Sequence, residues 1–403
     1  AAMLALGTLA KGPVALALGG AIAFFHLLGQ GRIGEIRRVP WLSCAAVYGL
    51  IAAPWFVLVA RRNPGFVSFF FVHEHLHRYL STTEHVWGPY FPAVVALAGS
   101  WPWICFAPLA FAGSRRDEPS GGAPAGRDAL GFLVTWCVVV IALFSIPRAK
   151  LGSYVLPAVP ALAVLAGRGL RRLGSLDIDY ARKLVRGFAL VNLALGVGCA
   201  VALELFSARL PRAVVTDGLW LAAGLGLCGL LSLGRLRRPT SLGVTLAAAA
   251  GTALIFAAGM KARRDMSALY TSRELARAIK AYVPPGGCLI ASDHRFLQAL
   301  PFYTAMREAL VGYRGELEPF SHGPDAAASF IADRPAFTRL WSTSPCAMLI
   351  ADGAWIARIY LETLKPAPIV IAREGNSVVL YNGQRMPMPS TEIPQSADDS
   401  PRH

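Results

Sequence analysis

Long apolar runs recur along the chain as far as residue 260. Residues 151–166 and 241–260 hold no charged side chain, and residues 184–203 hold only Arg186. About 20 consecutive apolar residues cross a bilayer as a helix, which satisfies its own backbone polar groups. The pattern predicts about eight membrane spans, near residues 3–28, 41–60, 90–112, 130–146, 152–167, 185–206, 217–234 and 241–260. The alternative for residues 3–28 is that the run includes a piece that does not span.

The pattern changes after residue 263, where apolar runs shorten and helix and strand signals alternate. Ser272 precedes a helical pattern with Glu274 in its first turn, which is typical of a helix start. The alternation predicts a small α/β domain over residues 264–385. Its predicted strands cover residues 288–292, 309–313, 346–352, 369–372 and 377–381, and its predicted helices residues 272–282, 296–306 and 353–364. From residue 386 onward Pro, Ser and Asp dominate, so residues 386–403 are predicted to be a disordered tail.

Composition supports a polytopic α-helical membrane protein. The chain is 55% hydrophobic and 16% charged, whereas soluble domains are about 25% charged. The net charge of +15 would suggest a nucleic-acid partner in a soluble protein. Here the cations lie in short loops between apolar runs, so the positive-inside rule explains them and no nucleic-acid partner is expected.

Loop charges also predict the orientation of the membrane region, residues 1–263. Alternate loops are richer in cations and are predicted to be cytoplasmic: those near residues 32–38, 115–127, 168–183 and 235–238. The other loops, including residues 61–89, then face outward. So does the segment after Met260, which places the α/β domain on the outer side of the membrane.

Several cations fall on the predicted outer face. Lys11 lies in a Leu/Ala-rich run, where a cation costs about 2.5–3.5 kcal/mol at the centre of a spanning helix. Snorkelling to the interface is one explanation. The other is an anionic ligand, because several cations on one face suit a phosphate or pyrophosphate. The candidate phosphate-binding residues are Lys11, Arg78, Arg148 and Lys150, with Tyr154 beside them.

A histidine-rich segment lies in the same outer loop. Residues 73–77 match the HExxH pattern, with His73 and His77 one helical turn apart and Glu74 as a possible base. A zinc protease is therefore one alternative. Others are that His73 and Glu74 help to hold a divalent ion (Zn, Mg or Mn) at a phosphate site, or that the histidines are structural. The seven cysteines show no ligand spacing, and a disulfide framework is not expected.

Four segments in fixed order resemble a known family. They are Lys11-Gly12-Pro13, the NPGF to HEHLHRY segment of residues 63–79, the FSIPRAKLGSYVLPAVPALA segment of residues 144–163, and residues 297–320. Together they resemble the bacterial aminoarabinose (lipid A) transferase branch of the protein-mannosyltransferase-like glycosyltransferases, which have the GT-C fold. The resemblance extends from about Lys11 to Tyr381.

The resemblance implies an inverting membrane hexosyl- or pentosyltransferase working at the periplasmic face. It implies an undecaprenyl-phosphate-linked sugar as donor, and lipid A or another glycan or protein as acceptor. Lys11 and Arg78 match positions that hold the carrier phosphate, and His73 and Glu74 lie in a segment associated with a metal. Arg148, Lys150 and Tyr154 match the segment lining the donor side.

The catalytic residue itself is unknown. The family carries an acidic residue in its first outer loop, and no acid of this chain matches it. Because the sequence begins at Ala1 inside an apolar run, we expect a preceding segment that supplies this loop. Two other functions remain open: a transporter or flippase for a lipid-linked sugar, and a degenerate transferase that acts as a binding scaffold.

Overall fold

The computed structural model describes residues 1–63, 65–71, 86–112, 125–209, 212–270, 272–284, 286–293, 297–312, 329–374 and 376–383. The chain separates into two compact units, Ala1–Ala262 and Arg263–His403. Two predicted segments lie outside the described residues: the tail of residues 386–403, and residues 72–85 of the outer loop.

The first unit is helical. Its helices are α1 (Ala2–Lys11), α2 (Val14–Gly29), α3 (Trp41–Arg62), α4 (Phe91–Gly99), α5 (Ala125–Ser145), α6 (Val159–Leu173), α7 (Ile178–Phe206), α8 (Arg212–Leu233) and α9 (Ser241–Tyr270). Among the described residues, six helical segments are long and apolar enough to cross a membrane, or seven if a bent pair counts as one span. The chain is therefore a multi-span membrane protein with an α/β region, as predicted; the described residues supply six to seven of the spans where the sequence predicts about eight.

The run at residues 3–28 forms two helices and not a single span. The backbone reverses at Gly12, whose φ of 90° favours glycine, and Pro13 precedes the first turn of α2. Helices α1 and α2 then pack side by side: a Cβ added at Gly7 would lie 3.0 Å from Ala15 Cβ, and one at Gly19 would lie 2.7 Å from a Leu4 methyl. The run is a helical hairpin with Lys11 at its tip.

The predicted span at residues 90–112 is broken. Helix α4 and the 3₁₀ helix Trp103–Phe111 meet at an angle of 98°. Trp101 at the break donates from Nε1 to Asn192 Oδ1 of α7 at 3.1 Å. The 3₁₀ segment packs so closely on α6 that a Cβ added at Gly169 would lie 1.8 Å from the Phe106 carbonyl oxygen. Glycine at position 169 is required by this close approach.

The second unit is built on a six-stranded sheet of order β3-β2-β1-β4-β6-β5. The strands are β1 (Leu289–Asp293), β2 (Glu308–Val311), β3 (Phe330–Ile331), β4 (Ala347–Asp352), β5 (Ile369–Glu374) and β6 (Ser377–Tyr381). Neighbours among β1 to β4 run parallel, and β6 is antiparallel to both β4 and β5. Strands β1, β2 and β4 are buried along nearly their whole length, as in sheets covered on both faces.

Helices cover both faces of this sheet. Helices α12 (Arg334–Thr343) and α13 (Ala354–Thr363) pack on one face through Phe337, Trp341 and Tyr360. Helix α10 (Arg273–Tyr282) packs on the other face through Leu275 and Ile279. The helix expected at residues 296–306 is shorter, α11 (Leu300–Thr304). Ser272 precedes α10, but its side chain does not cap the helix.

One disulfide joins Cys288 to Cys346 in the second unit. These residues directly precede β1 and β4, whose parallel pairing aligns Leu289 with Ala347 and brings the two cysteines' Cα atoms to 4.8 Å. That separation lies within the normal range for a disulfide. The sequence predicted no disulfide framework and did not reveal this single pair, because strand pairing joins residues that are 58 positions apart.

Removing this bridge is expected to destabilise the second unit. Cys288→Ser, or reduction of the native chain, should lower its free energy of unfolding by about 2–4 kcal/mol, because the bridge restricts the unfolded chain. Hydrogen exchange of β1 and β4, with and without reductant, measures this loss. Cys44→Ser is the control, since Cys44 is a free cysteine in the first unit. Unchanged protection of β1 and β4 after reduction would contradict the prediction.

Candidate functional site

Lys11 stands at the tip of the α1–α2 hairpin. It is the last residue of α1, and its side chain is exposed. One turn below it, Thr8 is buried, donates to the Leu4 carbonyl oxygen at 2.9 Å and accepts a 3.0 Å hydrogen bond from the Tyr48 hydroxyl. Tyr48 thereby ties α1 to α3. Thr8 and Tyr48 were not predicted from the sequence, although hydroxyl side chains in apolar runs are a signal of such an internal polar contact.

The segment after α5 lies against residues 86 and 87. Val86 and Ala149 form an antiparallel bridge, and Lys150 is only 3% exposed. Its Nζ donates to the Trp87 carbonyl oxygen at 2.9 Å and also to the Pro147 carbonyl oxygen. Lys150 therefore joins two segments, and two of its three donors are in use. Arg148 is exposed.

Tyr154 is half-buried in the 3₁₀ helix Gly152–Ala158. Its ring stacks on Phe144 near the end of α5, with 5.0 Å between ring centroids. Phe144 in turn packs on the apolar cluster that includes Leu18 and Ile22 of α2. The aromatic stack fixes where the 3₁₀ helix lies on the bundle.

Helix directions place the predicted cations at one end of the first unit. Helix α2 runs antiparallel to α5, because Leu18 and Ile22 share an apolar cluster with Val139 and Val140, while the later residue His26 contacts the earlier Phe132 ring at 5.2 Å. Lys11 precedes Val14, and Arg148 follows the end of α5. Lys11, Arg148, Lys150 and Tyr154 therefore lie at the same end of the helix bundle.

The opposite end carries the arginine-rich turns. Arg32, just after α2, lies 3.7 Å from Asp128 at the start of α5. Arg182 donates from Nε to the Leu236 carbonyl oxygen at 3.3 Å, which brings two cation-rich loops together. The charge asymmetry read from the sequence thus corresponds to two physical ends of one bundle.

Aromatic rings gather where α3 ends. Phe66 and Phe70 stack at 5.3 Å, and both lie within 6.5 Å of the Phe56 ring. This apolar surface leads into the histidine-rich segment. His73, Glu74 and Arg78 lie outside the described residues, so their predicted roles stay predictions. No cluster of three or more metal-ligating side chains occurs in the described part of the chain.

The contacts of Lys150 allow a test of whether this residue has a structural role or a phosphate-binding role. Lys150→Met keeps the stem but removes both hydrogen bonds to carbonyl oxygens, and each buried acceptor left unpaired costs about 1–3 kcal/mol. We expect faster hydrogen exchange at residues 86–87 and 147–150. The control is Arg148→Gln, which removes an exposed cation from the same segment. If Lys150→Met leaves this exchange unchanged, the two hydrogen bonds do not hold the segments together.

Comparison with solved structures defines the class of this fold. The structure matches ArnT from Cupriavidus metallidurans in its apo state with a TM-score of 0.78 and 24% identity, over 96% of this chain and 68% of that one. It matches ArnT bound to undecaprenyl phosphate with a TM-score of 0.76 and 26% identity, over 96% and 69%. The fold is thus the polytopic GT-C type expected from the sequence.

Curated relatives show which branch of these proteins the sequence resembles. One from Pseudomonas fluorescens, named undecaprenyl phosphate-alpha-4-amino-4-deoxy-L-arabinose arabinosyl transferase 2, is 33% identical over 201 residues, covering 49% of this chain and 32% of that protein. An arabinosyl transferase of the same description from Erwinia tasmaniensis is 31% identical over 204 residues, covering 50% and 34%. No family model matches. The resemblance to aminoarabinose transferases is confirmed, and the chain spans about a third of the length of these relatives.

Proposed function

We propose that this chain acts in a membrane glycosyltransferase that moves a sugar from an undecaprenyl-phosphate carrier to lipid A or another acceptor. The observation that carries the proposal is that Lys11, Arg148 and Tyr154 lie at the same end of the bundle, in a fold that matches ArnT bound to undecaprenyl phosphate. The relatives named as arabinosyl transferases support a pentose as the sugar.

The chemistry follows from where the cations lie. The acceptor oxygen attacks the anomeric carbon, the bond from that carbon to the carrier phosphate breaks, and the phosphate leaves with a growing negative charge. Lys11, held at the hairpin tip, stabilises that charge, and preorganised electrostatics of this kind is often the largest catalytic contribution. An acceptor that is itself a phosphate is already a nucleophile and needs no strong base.

Two observations support a periplasmic active end in a bacterial inner membrane. The arginine-rich turns lie at the end of the bundle opposite Lys11, and such turns are cytoplasmic in most membrane proteins. The second unit holds the Cys288–Cys346 disulfide, which is typical of an oxidising compartment such as the periplasm.

The test is sugar transfer by the protein as its own cells express it, purified and reconstituted in liposomes. Undecaprenyl phosphate carrying a radiolabelled aminopentose is the donor and lipid A the acceptor. We expect label to appear in lipid A with release of undecaprenyl phosphate. Movement of intact donor across the bilayer without release of undecaprenyl phosphate would support a transporter instead, and donor binding without either would support a scaffold.

A further inference from the structure

A cavity of about 650 Å³ lies between α6, the bent segment and the start of α9 in the first unit. Small-molecule sites commonly have volumes of about 300–1,000 Å³. Most of its lining is apolar, including Trp103, Ile104, Leu162, Ala163, Leu170 and Leu242. This lining suits a hydrocarbon chain.

The length of the cavity along α6 is close to the hydrocarbon thickness of one membrane leaflet. Both Val159 and Arg171 of α6 line it, so it follows that helix for roughly 18 Å at 1.5 Å per residue. Half of a bilayer's hydrocarbon core measures roughly 15 Å. Arg171 lies in the last turn of α6, where the span meets the membrane surface. The cavity therefore extends from the bilayer interior to one interface.

Cations stand at the interfacial end of this cavity. Arg171 is exposed, and its guanidinium has no hydrogen-bond or ion-pair partner within the described part of the chain. Arg235 packs against Gly243, next to the lining residue Leu242, since a Cβ added at Gly243 would lie 3.1 Å from Arg235 Cδ. Guanidinium groups bind phosphate oxygens in a fork geometry that ammonium groups lack.

We propose that this cavity binds one acyl chain of an anionic phospholipid, with the lipid phosphate at Arg171. The lipid comes from the leaflet at the arginine-rich end of the bundle. Arg171 lies at the opposite end of α6 from the turn that holds Arg148 and Lys150, so this site is separate from the proposed donor site. The inference goes beyond the proposed function and does not require sugar transfer.

Native mass spectrometry of the purified, delipidated protein tests the proposal. Dioleoyl phosphatidylglycerol and dioleoyl phosphatidylcholine are the probes, because they share acyl chains and differ in headgroup charge. We expect one tightly held phosphatidylglycerol per chain. The protein should prefer it about fivefold over phosphatidylcholine, because one arginine near an anionic headgroup supplies roughly that preference. Arg171→Gln should abolish this preference, and Ala163→Trp, which fills the cavity from an exposed position, should reduce retention of both lipids.

Matched control variants test whether lipid retention depends on the cavity or on any exposed position of the bundle. Val164→Trp introduces the same side chain one residue along α6 at a position that does not line the cavity, and Arg186→Gln removes an exposed cation of α7. Both should retain lipid as the unaltered protein does. Equal retention of the two lipids, or full retention by Ala163→Trp, would overturn the proposal. So would displacement of phosphatidylglycerol by undecaprenyl phosphate in an Arg171-dependent manner, which would make the cavity part of a carrier site.

Discussion

Lys11→Ala is expected to reduce the turnover number for sugar transfer by about 10²–10³, the cost of removing one preorganised group that stabilises developing negative charge. Lys11 is exposed at the hairpin tip and is not part of the apolar core, so the folded structure should persist. Initial rates at saturating donor, measured together with helical content by circular dichroism, check both statements.

The matched control for Lys11 is Arg62→Ala. Arg62 is an exposed cation at the last residue of α3, and its removal tests whether loss of another exposed cation of the first unit gives the same loss. We expect Arg62→Ala to retain most activity and Lys11→Arg to recover part of the activity lost in Lys11→Ala. A Lys11→Ala protein with unchanged turnover would remove Lys11 from the site.

Glu308→Gln is expected to stabilise the second unit at alkaline pH. Glu308 is 5% exposed, and burial raises the pKa of its carboxyl group from 4.5 to about 7, despite hydrogen bonds from the Ser292 hydroxyl and the Leu297 amide that lower the pKa. Its Oε2 has no hydrogen-bond partner among the described residues. The folded state therefore favours the neutral acid, and ionisation opposes folding.

The direction of the pH effect follows from this difference in pKa. The folded state binds the proton more tightly than the unfolded state, so stability falls as pH rises through the window from 4.5 to about 7. Above that window the loss of folding stability is complete. It amounts to about 3 kcal/mol, at 1.36 kcal/mol per unit of pKa. Glutamine removes the titration, so Glu308→Gln should be the more stable form at pH 8 and lose that advantage near pH 5.

Hydrogen exchange of β1 and β2 in the full chain, at pH 5 and pH 8, measures this effect. Glu362→Gln is the matched control, because Glu362 is an exposed acid of α13 that pairs with Arg358. We expect its pH profile to follow that of the unaltered protein. A Glu308→Gln profile that follows the unaltered protein as well would show that Glu308 is ionised in the folded state without cost.

The spans from α5 onward could be predicted because membrane insertion depends on the length and apolarity of a local run. The same rule failed at residues 3–28, where the run is long enough but Gly12 reverses the backbone. Composition measures how apolar a segment is and does not measure whether the chain turns within it. The Gly12-Pro13 pair was visible in the sequence, and only the packing of Gly7 on Ala15 decided that α1 and α2 lie side by side.

The sequence by itself determined that this chain is a membrane protein, that its cations are unevenly distributed between alternate loops, and that an α/β unit follows. These properties sum over neighbouring residues, so they can be read along the chain. Tertiary structure alone decided that Lys150 donates a hydrogen bond to the Trp87 carbonyl oxygen, 63 positions away, and that Cys288 meets Cys346. Those outcomes depend on which distant segments pair, because strand and helix packing joins residues whose separation along the chain carries no signal.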